Sequence, residues 1–469
     1  MEKKTKLICS LGPSSKEEKV IEEMARAGMD VARINFSHGD YDEHRALFEA
    51  VKRVSDRLKK PIALMQDLPG PKIRIGEIRE GKAYLKPGSE FVLTTEELVG
   101  DSEKATVSYR DLPDKVEPGH RILLADGTIM LRVLKVEGPR VHCRVVVGGV
   151  LRPHKGVNLP DTRLGLPAIT EEDRKHLSFG MKLGFDMVAV SFVKDGSDME
   201  LARELTRRRA FLLAKIERRE AVENLDEVIR ASDGVIVARG DLGAEMPLES
   251  VPMIQKEIIS KCNALAKPVV TATQMLESMI ANPYPTRAEV ADVANAIIDG
   301  SDALMLSDET SIGKYPVEAT RVITKIAREV ESKLPYGEMV EKRRGTSPRD
   351  IISHSACQIA LNLNVAAIVA PTRSGASARI VSKYRPKVPV IALTNSERVV
   401  RELTISWGVF PFKIGKYKTI DEVIMKADRI ILREGLAKKG DYIVVVTGDP
   451  REPRGVTDVL KIHKLGFRL

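Results

Sequence analysis

Eight short runs of apolar, largely β-branched residues, each stopping abruptly at glycine or polar residues and each followed by a helical pattern, constrain this chain most. They are Leu7 to Gly12, Val31 to Ser37, Ile62 to Leu68, Met187 to Val193, Leu212 to Glu217, Gly234 to Gly240, Pro268 to Gln274 and Ala303 to Glu309. Runs that are apolar nearly throughout suit strands buried on both faces, and stretches such as Lys16 to Ala27 and Val251 to Ala266 have helical spacing between them. Eight strand–helix units predict a (β/α)8 TIM barrel, an α/β fold whose active site lies at the C-terminal ends of the strands. Those ends carry Arg33, Asn35, Asp67, Lys215, Glu217, Asp241, Thr273 and Glu309. Charged groups are costly at the ends of buried strands, so their concentration there points to function rather than packing.

One interval breaks the rhythm. From Pro71 to Arg163 the pattern is of short alternating strands with turn signals at Pro87-Gly88, Ala125-Asp126-Gly127 and Gly148-Gly149. This predicts a small β-barrel domain inserted after the third barrel strand, either a lid over the mouth or an inert decoration. Beyond Lys342-Arg343-Arg344-Gly345, helices and strands alternate again: helix 349–362, strand 366–371, helix 377–384, strand 388–393, helix 397–406, strand 409–413, helix 420–434 and strand 442–447. The expected organisation is therefore barrel over 1–70 and 164–341, lid over 71–163, and a C-terminal α/β domain over 342–469.

Composition excludes several classes. The chain has 469 residues and a formal charge of +9, yet its 75 Lys and Arg are interspersed with 66 Asp and Glu and aromatics are only 4%, which disfavours nucleic-acid binding and suits attraction of small anions. Abundant charge also suits a thermophile. Apolar runs are too short for a membrane span, and Met1-Glu2-Lys3-Lys4-Thr5 leads into a strand without a secretory h-region, so a cytoplasmic protein is expected. Cys9, Cys143, Cys262 and Cys357 form no CxxC pair and read as reduced packing residues.

Chemistry concentrates in two motifs. Lys215-Ile216-Glu217 puts an ammonium and a carboxylate on the same face of a strand, a structural ion pair if it stood alone. Val237-Ala238-Arg239-Gly240-Asp241-Leu242-Gly243 closes the next strand, and Asp241 could join Glu217 on a divalent cation with positions left for water and phosphate oxygens. The glycines would let backbone N–H groups approach a ligand carboxylate.

Ile34-Asn35-Phe36-Ser37-His38-Gly39, Lys215-Ile216-Glu217, Ala238-Arg239-Gly240-Asp241-Leu242-Gly243 and Ala272-Thr273-Gln274-Met275-Leu276-Glu277-Ser278-Met279 resemble, in order, the signature segments of the pyruvate kinase family. The likeness extends from Thr5-Lys6-Leu7-Ile8-Cys9-Ser10-Leu11-Gly12-Pro13 through the C-terminal domain. It implies conversion of phosphoenolpyruvate and ADP to pyruvate and ATP, with a homotetrameric assembly. Carried over, Glu217 and Asp241 would hold Mg²⁺ or Mn²⁺, Lys215 and Arg33 would act on the phosphoryl group, and Gly240, Asp241 and Thr273 would hold the substrate carboxylate. Thr273 would also stand near the carbon that is protonated. Arg74, Lys155, Pro13 and His38 would contact the nucleotide, and Asn35, Ser37, Asp67 and Leu68 match a monovalent-cation pocket.

The chain departs from the pattern in three ways. Asp67-Leu68-Pro69-Gly70-Pro71-Lys72 stands for the usual Asp-Thr-Lys-Gly-Pro-Glu, Ser307-Asp308-Glu309 for Ser-Gly-Glu, and the longer N-terminal arm of animal members is absent. With Lys72 in place of glutamate, the expectation is no K⁺ requirement, the ammonium standing in for the ion beside Asp67; alternatively Lys72 faces solvent. Thr372-Arg373-Ser374-Gly375-Ala376-Ser377, between a strand and a helix, resembles the loop at which family members bind a phosphorylated effector, with Thr447 to Thr457 as its remaining part. Its plain alternative is an ordinary strand–helix turn. For the whole chain, the alternatives are a lyase or aldolase of the phosphoenolpyruvate/pyruvate barrel group and a non-catalytic anion-binding protein.

Overall fold

In the computed structural model, which describes residues 3–125, 127–343, 345–448 and 457–467, eight parallel strands close into a barrel. In chain order they are Lys6–Leu11, Val31–Asn35, Ala63–Asp67, Met187–Val190, Phe211–Ile216, Gly234–Ala238, Val269–Ala272 and Ala303–Leu306. The last pairs with the first, Lys6 opposite Ala303, which completes the ring. All eight apolar runs thus become barrel strands, and nearly every residue in them is buried, since helices cover the outside and side chains fill the inside. The helices start where side chains can satisfy free N–H groups: Asp40 accepts from Asp42 and Glu43 ahead of Tyr41–Leu58, and Thr286 opens Arg287–Asp299 with a capping box.

Between the third and fourth barrel strands lies a separate β unit with its own core around Leu85, Phe91, Leu93, Leu131 and Val145. Its curled sheet orders Val157–Asn158, Arg121–Leu124, Ile129–Glu137, Arg140–Val147, Glu90–Thr94 and Lys104–Thr106, and a ribbon pairs Ala83–Leu85 with Gly149–Leu151.

The C-terminal unit is a five-stranded sheet in the order Val409–Lys413, Val390–Thr394, Ala367–Pro371, Tyr442–Thr447 and Val459–Lys464. It closes the N-terminal end of the barrel. Ile405 joins Ile8, Val31, Met65, Met187 and Ile236 in the barrel's inner core. Arg385, 1% exposed, donates to Asp302 Oδ1 at 2.8 Å, Asn263 Oδ1 at 2.7 Å and the Gly300 carbonyl at 2.6 Å. Lys6 Nζ donates to the Val409 carbonyl at 2.7 Å. With that end plugged, only the C-terminal mouth faces outward.

Two expectations are corrected. The helix expected over 397–406 stops at Glu402 and tightens into the 3-10 turn Leu403–Ile405, which turns Ile405 into the barrel core. Strand Val459–Lys464, antiparallel to Tyr442–Thr447, was not foreseen, because its run of Leu460, Lys461, Ile462 and His463 lacks a continuous apolar signal. Asp126, Arg344 and residues 449–456, which belong to the turn, linker and effector segments named above, lie outside the described residues. All four cysteines are buried and none is disulfide-bonded. Among the described residues no helix is long and apolar enough to cross a membrane.

Candidate active site

At the open mouth, four charged side chains from the second, third and fifth barrel strands meet in a buried cluster. Arg33 donates from Nε to Asp67 Oδ2 at 2.6 Å and from Nη1 to Ser10 Oγ at 2.7 Å. Lys215 Nζ lies 2.8 Å from Glu217 Oε1, 3.4 Å from Asp67 Oδ1 and 2.8 Å from Ser191 Oγ. The second oxygen of Glu217 accepts the Phe192 N–H at 2.7 Å, with Phe192 held at a φ of 55°. Placement follows from the pleat: Lys215 and Glu217, the latter one residue past strand Phe211–Ile216, point the same way, and Arg33 lies two residues before the end of the strand that pairs with Asp67's.

Electrostatics reinforce the cluster. Burial opposes charge on Lys215 and Asp67, but Asp67 and Glu217 together raise the lysine above its usual range. Arg33 and Lys215 overcome the same burial to hold Asp67 below the usual carboxylate range. Glu217 is shifted upward, first by burial and also by the nearby Asp241 carboxylate, against the pull of Lys215. Two carboxylates that repel one another are relieved by a shared cation, and hard oxygen donors suit Mg²⁺ or Mn²⁺. Among the described residues no group of three or more His, Cys, Asp or Glu could hold a metal, so this pair would leave most of the coordination sphere to water and substrate oxygens.

Asp241 stands in the first turn of the short helix Arg239–Glu245, and its Oδ1 accepts from Lys72 Nζ at 3.1 Å. This corrects the expectation that Lys72 balances Asp67. The buried Asp67 carboxylate already carries Arg33 and Lys215, so a third cation there meets like charge, whereas Asp241 is partly exposed and open to it.

Thr273 and Gln274 follow the seventh strand with φ of 68° and 54°, a conformation disfavoured for a β-branched residue. Arg239 holds this turn by donating to the carbonyls of Thr273 (2.7 Å) and Ala272 (3.3 Å), while its own position is fixed on Asp292 at 2.7 Å. Thr273 Oγ1 accepts the Gly240 N–H at 2.8 Å, which brings Thr273, Gly240 and Asp241 to one place. Strain of this kind, pinned by its surroundings, is typical of functional sites. Glu309 is buried and accepts the N–H groups of Leu276 at 3.0 Å and Ser307 at 2.8 Å, so it braces two loops instead of facing the mouth.

The remaining candidates spread outward. Asn35 lies opposite Asp67 in the barrel sheet and its Oδ1 accepts the Ser37 N–H at 3.1 Å, while the N–H of Leu68, next in the chain, goes to the Ala189 carbonyl. Arg74 bridges to Gly156, next to Lys155, at the root of the inserted unit, and donates to the His154 carbonyl at 3.0 Å. His38 is shifted below its usual value by burial first and then by Arg74, against an opposing effect of Asp308, with smaller downward effects from Arg33 and Lys72. Pro13 begins a 3-10 turn after the first strand. Far away, the loop Thr372–Ser377 is self-bonded: Thr372 Oγ1 accepts the Gly375 N–H at 2.9 Å, Gly375 sits at φ 85°, and Ser377 Oγ is 3.2 Å from Thr457 Oγ1. Arg373 and Ser374 lie in the same loop, 374 offering its carbonyl to Arg379 at 2.9 Å. Ser10, Ser191, Arg239 and Asp292 carry contacts that sequence reasoning assigned to none of them. Ser191, just past the fourth strand, could have been flagged by its position among the charged strand ends.

A β/α barrel with buried Lys, Arg and paired carboxylates at an open mouth, with a separate β unit inserted after its third strand, defines an enzyme that neutralises and transfers anionic groups. The comparisons with known proteins specify it further. The chain belongs to the pyruvate kinase family: the model for the pyruvate kinase barrel domain matches residues 2–320 and that for the pyruvate kinase alpha/beta domain residues 350–463. It is 45% identical to a pyruvate kinase of Clostridium acetobutylicum over 98% of this chain and 99% of that protein. It is also 45% identical to one from Geobacillus stearothermophilus, over 99% of this chain and 80% of that protein. A crystal structure of a pyruvate kinase from Cryptosporidium parvum superposes with a TM-score of 0.91 at 36% identity, covering 99% of this chain and 96% of the other. The chain is thus a glycolytic kinase that uses a divalent metal.

Proposed function

We propose that the barrel mouth moves the phosphoryl group of phosphoenolpyruvate to ADP, releasing pyruvate and ATP. The observation that carries this reading is the convergence of Arg33, Asp67, Lys215 and Glu217 within hydrogen-bonding distance of one another at buried strand ends. Phosphoryl transfer asks mainly for positioning and charge neutralisation. Glu217 and Asp241 would hold Mg²⁺ or Mn²⁺, which when bound supplies positive charge to phosphate oxygens. Arg33, kept planar and aimed by Asp67 and Ser10, grips the phosphoryl oxygens with its remaining N–H groups. Lys215, already pointed inward by Asp67 and Glu217, offsets charge that builds on the group in flight.

On the other side of the site, the Gly240 and Asp241 N–H groups and Thr273 take the substrate carboxylate, the Gly240 N–H exchanging its bond to Thr273 Oγ1 for one to the ligand. The Thr273 hydroxyl then stands by the carbon that gains a proton. Arg74, Lys155, Pro13 and His38 receive the nucleotide at the lid root. The remaining parts of this reading are a cytoplasmic homotetramer whose Thr372–Ser377 loop takes a phosphorylated effector, and independence of K⁺.

A coupled assay of pyruvate formed from phosphoenolpyruvate with and without ADP tests the central claim. Pyruvate appearing only with ADP is the expected result. ADP-independent turnover would indicate a lyase or aldolase, and no turnover a binding protein. Sedimentation gives the assembly, and substrate saturation curves with sugar phosphates, phosphoglycerate and nucleoside monophosphates test the effector loop.

A further inference from the structure

Each of the two candidate metal carboxylates carries its own lysine. Glu217 Oε1 has Lys215 at 2.8 Å, and Asp241 Oδ1 has Lys72 at 3.1 Å. The two pairs differ in kind. Glu217 is 1% exposed and also accepts a backbone N–H, so its lysine is locked in place. Lys72 and Asp241 are 26% and 22% exposed, and they come from segments 169 residues apart that belong to different parts of the molecule. Asp241 rides on the rigid barrel after the sixth strand, whereas Lys72 lies in the turn that leads from the third strand into the lid.

That turn is compact. Gly70 is at φ 65°, donates its N–H to Asp173 Oδ1 at 3.2 Å, and accepts the Lys72 N–H at 2.9 Å. Two residues further on, Arg74 forms the bridge to Gly156, immediately before the lid's last strand, Val157–Asn158. A contact made by Lys72 is therefore a contact between the lid's entry turn and the barrel.

We propose that Lys72 competes with the divalent cation for the Asp241 carboxylate, so that metal binding removes one of the ties between the lid's entry turn and the barrel, the Gly70–Asp173 bond remaining. An ammonium and a divalent cation at one carboxylate repel one another, so each weakens the hold of the other. A part-exposed pair is weak enough to be displaced without disabling the enzyme. The coupling is reciprocal: whatever lifts Lys72 away from Asp241 tightens metal binding by the same factor. The inference rests on Glu217 and Asp241 being the metal carboxylates and is independent of any role for K⁺.

The test is titration of the full-length protein with Mn²⁺ alone, free ion being read by electron paramagnetic resonance, for wild type, Lys72→Met, Lys72→Arg and Asp241→Asn. Lys72→Met is expected to bind Mn²⁺ about three- to tenfold more tightly than wild type, and Lys72→Arg, which keeps the charge, within about twofold of it. Hydrogen exchange adds a structural readout: Mn²⁺ should speed exchange at amides 70–75 in wild type and leave them unaffected in Lys72→Met. Unchanged or weaker Mn²⁺ binding by Lys72→Met overturns the competition, and an equal exchange response in both proteins overturns the link to the lid. Asp241→Asn separates the underlying assignment, since it should lose Mn²⁺ binding at least tenfold; wild-type binding by that variant removes Asp241 from the metal site and the competition with it.

Discussion

Lys215 Nζ, near the end of strand Phe211–Ile216, stands 2.8 Å from Oε1 of Glu217 just beyond it, with Asp67 closing the arrangement at 3.4 Å. The ammonium is positioned before substrate arrives, so its effect falls on charge that develops during transfer. Lys215→Met is expected to lower kcat about 100-fold or more while changing the KM for phosphoenolpyruvate far less. Steady-state kinetics decide this, and an unchanged kcat removes Lys215 from the chemistry.

Arg385 plays a matching structural part at the opposite end of the barrel. Its guanidinium, 1% exposed, joins the C-terminal unit to Asp302, Asn263 and the Gly300 carbonyl. Arg385→Ala leaves Asp302 buried without its countercharge, which typically costs about 3–5 kcal/mol. Denaturant unfolding should register that loss, while Arg349→Ala, at an exposed position, stays within about 0.5 kcal/mol of wild type.

The inserted β unit has its own pH-sensitive fastening. Asp161 accepts from Arg121 at both carboxylate oxygens, at 2.7 and 3.0 Å, and these hydrogen bonds are the main reason its pKa is lowered to about 2 from 3.8. A folded pKa below the unfolded one contributes stability that is fully present above about pH 4 and disappears as pH falls toward 2. Exchange protection at residues 121–124 and 157–162, after correction for the intrinsic pH dependence of amide exchange, should therefore fall as pH drops across that window in wild type. In Asp161→Asn this protection should be low throughout and flat with pH.

The barrel was legible because each strand is buried on both faces and writes itself as an uninterrupted apolar run, from Leu7 to Leu306. The charged strand ends were legible for the opposite reason, as Lys215 and Glu217 contradict the apolar context that surrounds them. What escaped was pairing across long separations. Nothing local to Lys72 says that it reaches Asp241 and not Asp67, because that depends on Arg33 and Lys215 having filled Asp67 first. Glu309 shared the signature of a catalytic strand end, yet both of its oxygens are spent on backbone N–H groups of neighbouring loops. Arg239, quoted within a motif, reveals its hold on the Thr273 turn only once the turn's left-handed backbone is seen.

Dependence on K⁺ is the sharpest remaining prediction. The residues that match a monovalent-cation pocket include Asp67, whose two carboxylate oxygens are engaged by Arg33 at 2.6 Å and Lys215 at 3.4 Å, and Asn35, whose Oδ1 accepts the Ser37 N–H at 3.1 Å. Those fixed positive charges balance Asp67, and Lys72, which stands where potassium-dependent relatives carry glutamate, is paired with Asp241 and offers the pocket no carboxylate. Two unit positive charges about 4 Å apart repel by roughly 4 kcal/mol at an effective dielectric constant of 20, enough to disfavour a bound K⁺. Activity in tetramethylammonium buffer with Mg²⁺, free of K⁺ and NH₄⁺, is expected to be near maximal. Lys72→Glu reverses the local charge and should make the enzyme respond to added K⁺. A tenfold or larger rise in wild-type activity on adding K⁺ would show that the fixed cations do not replace the ion, and that Asp67 and its neighbours still form a working monovalent site.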